Sequence, residues 1–330
     1  MNKAYGIILC ILVASAAMFL SEYIVIGSIA IAIILGALIG NTVTLSSKFT
    51  PGITYSEKTL LAVAISLLGI NLDFNVLLQL GVQTLLIIII SMSATIFFGI
   101  YLSKKLNFDK NFACILAIGN GVCGSAAIAA TKDIVKLDKE KSALAIAIVN
   151  LLGTVGLFVL PLIAVVLGLN NTEVGILLGN TLQSVGHAVA AGFSVNETVG
   201  QSATITKMGR ILLLTPVIIW LIWYTSKNNS IANSSSDDLE KSQNKAKLQV
   251  PVFVIGFIVF SIIATSGILP LNIIEVIATA SKLTLLIAMS AIGLKISFKA
   301  IKQTGWDAFV LAGYIFKFQI ILSIILIAVL

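Results

Sequence analysis

The stretch Gly119-Asn120-Gly121-Val122-Cys123-Gly124-Ser125-Ala126-Ala127-Ile128-Ala129-Ala130 interrupts an apolar part of the chain with glycines, an amide and a hydroxyl. The stretch Gly179-Asn180-Thr181-Leu182-Gln183-Ser184-Val185-Gly186-His187-Ala188-Val189-Ala190-Ala191 repeats this pattern. Lipid tolerates irregular backbone only where protein or a water-filled cavity covers it. Paired glycine-interrupted segments in corresponding positions of an apolar chain therefore predict the binding site of a transporter.

Composition places the chain among membrane proteins. Of its 330 residues, 58% are hydrophobic and 11% are charged, and the mean hydropathy is +1.08. Soluble domains have about 45–50% apolar and about 25% charged residues. The net charge of +7 is explained by lysines that hold loops in the cytoplasm, so we expect no nucleic-acid partner. Cys10, Cys114 and Cys123 lie in apolar segments and form neither a disulfide framework nor a CxxC metal pattern.

The apolar runs predict an all-α, polytopic membrane protein, with residues 1–330 forming a single transmembrane domain. A helix needs about 20 apolar residues to cross the hydrocarbon core. Nine full spans are predicted, near 5–21, 24–41, 59–78, 82–103, 142–168, 203–225, 251–268, 272–294 and 306–329. The Gly-rich segments near 112–131 and 174–193 are predicted to be discontinuous or re-entrant, and 226–249 to be a polar cytoplasmic loop. The first run is predicted to be a retained span, not a signal peptide.

The lysines predict the orientation in the cell membrane. Only Lys207, Arg210, Lys282 and Lys317 fall within predicted spans, and the other basic residues lie in loops or at span ends. If the two Gly-rich segments re-enter from opposite faces, all loop lysines become cytoplasmic, as the positive-inside rule requires. If both segments cross fully, the loop from Lys132 to Lys141 moves outside. The count therefore favours re-entrant or broken helices that meet near the bilayer centre, with a cytoplasmic N-terminus and an external C-terminus.

A second internal similarity indicates a duplicated, inverted architecture. The segment Ala64–Phe74 resembles Ala288–Phe298, and without a gap Gln79 then pairs with Gln303 and Gly81 with Gly305. In the orientation above the first segment runs outward and the second inward, which an inverted-topology repeat requires. The order of the two similarities along the chain is not that of a simple tandem duplication, so the repeat boundaries stay open.

The chemistry-bearing residues cluster in and just after the two Gly-rich stretches. At the start of the helix after each break, the first backbone N–H groups have no intrahelical acceptor, which favours the binding of an anion. Close helix packing is the alternative explanation for the glycines, but amides and an imidazole at that depth need partners or a cavity. The predicted substrate-binding residues are Asn120, Gly124, Ser125, Asn180, Gln183, Ser184, His187, Lys207 and Arg210.

Two readings are open for the charged and titratable members of this set. His187, the only histidine, suits a proton-coupled step, or it is a neutral imidazole bonded across a helix interface. Lys207 and Arg210 share one helix face, and the planar guanidinium of Arg210 is suited to bidentate binding of an oxyanion. Alternatively, both cations fix the broken helices through their carbonyl ends. No nucleophile elbow, phosphate loop, carboxylate pair or zinc pattern is present, so we expect no enzyme activity, cofactor or metal.

Four short elements carry a family resemblance: Cys123-Gly124-Ser125-Ala126-Ala127-Ile128-Ala129-Ala130, Ala190-Ala191-Gly192, Ala203-Thr204-Ile205-Thr206-Lys207-Met208-Gly209-Arg210 and Leu212-Leu213-Leu214-Thr215-Pro216. By these the chain resembles, over most of its length, the YeiH-type (UPF0324-like) family, to which sulfate export is ascribed. Members usually carry a His, an acidic residue and Ala-Gln ahead of Ala-Ala-Gly. This chain has Gln183-Ser184 and Gly186-His187 there instead. The departure removes the carboxylate on which proton or cation coupling would rely.

The family is in turn similar to the bile-acid/sodium symporter and cation/proton antiporter superfamily, in which two discontinuous helices cross at the membrane centre. The stretch from Gly121 to Leu144 resembles the broken-helix region of those symporters. The resemblance implies a carrier in which a core domain moves against a scaffold, and it makes sulfate the substrate expected from the family name.

Two functions are therefore weighed. The first is a secondary transporter of a small anion, sulfate or an organic sulfonate or carboxylate, working by alternating access. The alternative is a sodium- or proton-coupled symporter or antiporter of an organic solute, with Asn120, Asn180 and nearby carbonyls binding the ion. The absence of a carboxylate in either Gly-rich stretch argues against the alternative. The expected partners are the anion, sodium or a proton as coupling ion, and the lipid bilayer, and a homodimer is one assembly left open.

Overall fold

The computed structural model describes residues 3–23, 28–43, 45–71, 74–106, 108–229, 252–266, 268–296 and 306–329. These residues form helices and connecting turns, with no strand among them. Six helical segments are long and apolar enough to cross a membrane: Ala4–Ser21, Gly81–Lys105, Glu140–Val166, Glu197–Thr225, Asn272–Lys295 and Trp306–Val329. The predicted all-α, polytopic membrane class is confirmed.

Three helical segments form the N-terminal part: α1 (Ala4–Ser21), α2 (Ser28–Thr42) and α3, which runs from 50 to 71. α3 joins Thr50–Tyr55, a π-helical turn Ser56–Leu60, Leu61–Leu68 and a 3-10 turn Gly69–Asn71. It corrects the span predicted at 59–78, which begins and ends too late. The reason is Pro51, which lies in the first turn of α3 and favours a helix start there.

The middle of the chain contains two interrupted segments. α4 (Phe74–Lys105) is kinked at Gly81, whose φ of 39° and ψ of −164° are outside the helical range. Hairpin A follows as α5 (Lys110–Gly121) and α6 (Ser125–Thr131). After α7 (Lys139–Val166), hairpin B is formed by α8 (Asn171–Thr181) and α9 (Val185–Val195).

The remaining helices complete the bundle: α10 (Glu197–Leu212), α11 (Leu214–Asn229), α12 (Val252–Thr265), α13 (Leu271–Lys295) and α14 (Trp306–Val329). α10 and α11 are separated only at Leu213, three residues before Pro216, which cannot donate an intrahelical hydrogen bond. Of the predicted loop 226–249, residues 226–229 lie in α11 and the rest lie outside the described residues.

Each interrupted segment folds back on itself. Asn111 at the start of hairpin A donates from Nδ2 to the carbonyl of Val135, just beyond its end, at 2.9 Å. In hairpin B, Asn196 Nδ2 donates to Asn171 Oδ1 at 3.0 Å. Both ends of each segment therefore lie at the same end of the bundle, with the break at the tip.

The core of the bundle is formed around the hairpins. Every residue of α5 from Phe112 onward is buried, as is every residue of α8 from Val174 onward. By contrast α1, α7 and α12 leave large apolar side chains exposed, such as Leu12, Leu162 and Ile262. Exposed apolar surface on this scale fits helices that face lipid.

Candidate functional site

The tips of the two hairpins touch inside the bundle. Gly124 adopts a φ of 67°, which non-glycine residues rarely adopt, and it turns the chain from α5 into α6. A β-carbon at this position would lie 3.3 Å from the Gln183 Cβ and from the Gln183 carbonyl oxygen. Gln183 Nε2 also donates to Asn120 Oδ1 at 3.2 Å. Polar groups of the two hairpin tips are therefore in direct contact.

The two asparagines of the repeated Gly-Asn pattern have different surroundings. Asn120 donates to the carbonyl of Leu116 at 3.0 Å and accepts from Gln183. Asn180 accepts from Ser91 Oγ at 2.9 Å and donates to Ser323 Oγ at 2.9 Å. The side chain of Asn180 therefore ties hairpin B to α4 and α14 and is satisfied within the protein.

The returning arm of hairpin B starts with a capped helix. The Ser184 hydroxyl accepts from the backbone N–H of His187 at 3.0 Å, and Ser184 itself is half-buried. The first turn of any α-helix contains N–H groups without an intrahelical acceptor, and here they belong to Val185 and Gly186. In hairpin A the equivalent start is at Ser125, which is also half-buried.

Lys207 links the two tips. Its ammonium donates to the carbonyl of Val122 at 3.0 Å and to the carbonyl of Leu182. These residues follow the last turns of α5 and α8, where unpaired carbonyls give the helix its negative end. The ammonium of Lys207, on α10, therefore offsets the negative C-terminal ends of both α5 and α8.

Arg210 binds the same end of α5. Its Nη2 donates to the carbonyl of Asn120 at 3.3 Å and to that of Gly121. Its Nε and Nη1 have no protein partner. The contacts of Lys207 and Arg210 match the reading in which both cations fix the broken helices through their carbonyl ends, and they leave donors of Arg210 unused.

Among the described residues, neither cation has an acidic partner. Lys207 and Arg210 are completely buried, and none of the buried side chains in the described part of the chain is acidic. The ion pairs found there, Lys141–Asp109, Lys282–Glu197 and Lys295–Glu57, are all partly exposed. The site therefore carries positive charge that is offset only by backbone dipoles.

His187 completes the site beside α7. It is 8% exposed, and its Nδ1, like Gln183 Oε1, has no hydrogen-bond partner. Both atoms border Gly153, where a β-carbon would overlap Nδ1 and lie 3.0 Å from Gln183 Oε1. Because buried polar atoms are normally hydrogen-bonded, these two atoms are unsatisfied polar positions of the site among the described residues.

The structure thus brings together most of the residues predicted to bind substrate. Asn120, Gly124, Gln183 and Arg210 are joined by direct contacts. Lys207 binds carbonyls of both tips, and His187 borders Gly153 together with Gln183. Asn180 faces away, into its own network. The residues that the sequence reasoning missed are Ser91, Gly153, Gln319 and Ser323. Polar residues spaced four apart in α14 signal the last two, while Gly153 stands among Asn150, Thr154 and Gly156 in an apolar span.

A metal centre is not supported among the residues that the structure describes. No group of three or more His, Cys, Asp or Glu side chains lies close enough there to hold a metal ion. The polar groups of the site are instead amides, one imidazole, hydroxyls, backbone groups and two cations. This set suits an oxyanion better than a metal.

Comparison with known proteins identifies relatives along nearly the whole chain. A UPF0324 membrane protein of Bacteroides thetaiotaomicron is 31% identical over 326 residues, covering 96% of this chain and 95% of the relative. The UPF0324 inner membrane protein YeiH of Escherichia coli K12 is 30% identical over 299 residues, covering 89% of this chain and 83% of the relative. No solved structure matches the chain. The family model described as Conserved hypothetical protein 698 matches residues 5–312, and the chain belongs to this family, the UPF0324 membrane proteins.

Proposed function

We propose that this membrane protein is a secondary transporter of a small anion, sulfate or an organic sulfonate or carboxylate, and that it works by alternating access. The anion binds at the touching tips of hairpins A and B. The residues that line or organise this site are Asn120, Gly124, Ser125, Asn180, Gln183, Ser184, His187, Lys207 and Arg210.

The observation that carries the proposal is the pair of buried cations without an acidic partner. An uncompensated charge in a low-dielectric interior costs several kcal/mol, and the carbonyls bound by Lys207 and Arg210 offset part of this cost. A bound anion offsets more. The anion can also accept hydrogen bonds from Nε and Nη1 of Arg210 and from the backbone N–H groups in the first turn of α9. A cation at the same place meets two like charges.

An inverted repeat is supported by pairs of residues 224 positions apart. Gly69 of α3 lies against the backbone of Phe257 in α12, and Gly293 of α13 lies against the backbone of Ile33 in α2. Gly69 and Gly293 are 224 positions apart, as are Ile33 and Phe257. The same contact therefore occurs twice with its partners exchanged, as a two-fold relation between the halves requires.

The same interval relates whole helices. Ser28 and Val252, which begin α2 and α12, are 224 positions apart, as are Lys105 and Val329, which end α4 and α14. The hairpins repeat instead at an interval of 60, from Ser125 to Val185. Hairpin B precedes α12 in the chain although hairpin A follows α2. We infer that the second half contains the same helices as the first half, but in a different order along the chain. This order would explain why the sequence similarities did not fit a tandem duplication.

The two hairpins differ in burial, which supports one of two alternating states. Ala126, Ala129 and Ala130 on α6 are exposed. The residues 60 positions later, Gly186, Val189 and Ala190, are buried. α9 packs against α13, where a β-carbon on Gly186 would lie 3.0 Å from Ile292 Cδ1. With hairpin A entering from the cytoplasm, this is a state closed to the outside and open to the cytoplasm.

Transport by purified protein in liposomes tests the proposal. Labelled sulfate and a labelled small carboxylate are offered with and without sodium and pH gradients. We expect flux of at least one anion and its loss in Arg210→Gln, with Lys282→Gln as the matched control because Lys282 is an exposed lysine paired with Glu197. Strictly sodium-dependent solute flux without anion flux would favour the symporter alternative. Unchanged anion flux in Arg210→Gln would place the site elsewhere.

A further inference from the structure

The Lys207 ammonium occupies a position with the character of a cation site. Its two acceptors, the carbonyls of Val122 and Leu182, belong to different hairpins and lie at the C-terminal ends of interrupted helices. In secondary transporters, unwound carbonyls and half-helix C-terminal ends of this kind coordinate the coupling sodium ion or proton. Here a side chain of the protein supplies the positive charge.

We propose that Lys207 is a built-in substitute for a coupling sodium ion, so that the carrier works without sodium. This inference rests on the proposed function for what is transported. The way in which the two tips are held together does not depend on that function and is tested separately.

The carbonyls at the end of α5 already accept protein donors. The carbonyls of Ile118 and Gly119 accept the backbone N–H groups of Val122 and Gly124, each at 2.9 Å. The next two, those of Asn120 and Gly121, accept from Arg210, and Val122 accepts from Lys207. A sodium ion at this helix end would share these carbonyls with the two fixed cations, which would repel it.

At the end of α8, protein donors occupy the carbonyls on either side of Thr181. Gln319 Nε2 donates to the carbonyl of Asn180 at 2.8 Å, and Lys207 Nζ donates to the carbonyl of Leu182. Hard cations in proteins prefer anionic carboxylate oxygens alongside carbonyls, and no buried acidic side chain occurs in the described part of the chain. The position between the two tips therefore has carbonyls like those of a sodium site, but the Lys207 ammonium fills it and no buried carboxylate of the described residues lies beside it.

The covalent attachment of this cation has a functional consequence. A sodium ion that joins two hairpin tips must bind and leave in every cycle, which couples transport to the sodium gradient. Lys207 stays with α10 and joins the tips throughout the cycle. Anion flux therefore follows the anion gradient, the membrane potential or an exchanged anion, and not the sodium gradient.

Thermal unfolding of the purified full-length protein tests the substitution without reference to transport. Melting is measured in sodium chloride, lithium chloride and choline chloride at equal ionic strength. We expect the wild-type Tm to be the same in all three salts. In Lys207→Ser, which opens the space between the two carbonyls, we expect a lower Tm in choline and a gain of about 2–4 °C in sodium or lithium. Lys282→Ser, which removes a lysine that is 57% exposed, is the matched control and should melt alike in all salts.

Two results would overturn the inference: stabilisation of the wild type by sodium over choline, or no gain from sodium or lithium in Lys207→Ser. If Lys207→Ser does not fold, the wild-type comparison decides, together with anion flux when choline replaces sodium on both sides. Unchanged flux supports the inference and a tenfold loss contradicts it. Absence of anion flux in every medium counts against the proposed function, while the melting result still decides the role of Lys207.

Discussion

Gly153 of α7 makes room for the imidazole of His187. A β-carbon at position 153 would overlap His187 Nδ1 and lie 2.7 Å from Cε1. The same position borders Gln183 Oε1 at 3.0 Å. A glycine in the interior of a long apolar helix is unfavourable by about 1 kcal/mol relative to alanine, so its presence here fits a requirement for space beside the hairpin tips.

Gly153→Ala should therefore impair transport more than stability. The new methyl group must push the imidazole of His187 aside, which disturbs the side of the site where His187 Nδ1 and Gln183 Oε1 lie. We expect anion flux in liposomes to fall at least about tenfold, which corresponds to about 1.4 kcal/mol. Gly313→Ala is the matched control, because no atom lies within 4 Å of a β-carbon at position 313. Equal flux in both variants would show that His187 is not held at the site.

Much of the architecture follows from the sequence, because glycines and amides in an apolar run have few explanations. The all-α class and the positions of the long helices near 82–103, 272–294 and 306–329 agree with the structure. The start of α3 could not be predicted from hydropathy, because Ser56, Glu57 and Lys58 interrupt the apolar pattern within the helix. The predicted orientation of the termini stays a prediction.

The sequence singles out polar residues at the two hairpin tips but does not reveal which of them contact each other. Asn120 and Gln183 stand out as amides in an apolar region, yet a single sequence does not say that they bind each other. The roles of Lys207 and Arg210 stayed open, because their partners are backbone carbonyls, which leave no mark on residue identity. Gly153 was missed for a related reason: a glycine that provides space looks like a glycine that allows close helix packing.

The contacts related by the interval of 224 residues predict matched losses of stability. A β-carbon at Gly69 would overlap the Phe257 carbonyl oxygen, and one at Gly293 would overlap that of Ile33. Since backbone and not a flexible side chain is in the way, each helix pair must separate, and overpacking of this kind costs about 1–3 kcal/mol. Gly69→Ala and Gly293→Ala should lower the Tm by similar amounts in thermal unfolding, whereas Gly313→Ala should not. A large effect in only one of them would argue against a two-fold relation.

The start of hairpin A should show a modest pH dependence of stability. Asp109 accepts from Lys141 Nζ at 2.5 Å and from the backbone N–H of Asn111 at 2.9 Å. The hydrogen bond from Lys141 holds the pKa of Asp109 below its ordinary value. A lowered pKa stabilises the fold above the unfolded pKa of about 3.9, and this contribution is lost as the pH falls through the folded pKa.

Asp109→Asn, which keeps the helix cap and removes the charge, should therefore melt slightly below the wild type near neutral pH. The difference should vanish at a pH below the lowered pKa. Because the two side chains are 46% and 42% exposed, the ion pair contributes little to stability and weakens with salt. Asp109→Ala, which also removes the cap, should lose about 1 kcal/mol more at every pH. A Tm difference for Asp109→Asn that grows toward acid pH would contradict this assignment.

The unequal burial of the two hairpins predicts which side of the membrane reaches the site. Ala129 is exposed and Val189, 60 positions later, is buried, so a membrane-impermeant thiol reagent should label Ala129→Cys and spare Val189→Cys. In the proposed orientation, labelling occurs in inside-out vesicles and not in intact cells. Cys10, Cys114 and Cys123 are buried, so the wild type gives the background labelling.

A saturating anion that drives the carrier through its cycle should slow labelling of Ala129→Cys and allow labelling of Val189→Cys from outside, because alternating access exchanges the two environments. Equal labelling of both variants from one side under all conditions would contradict a two-state exchange.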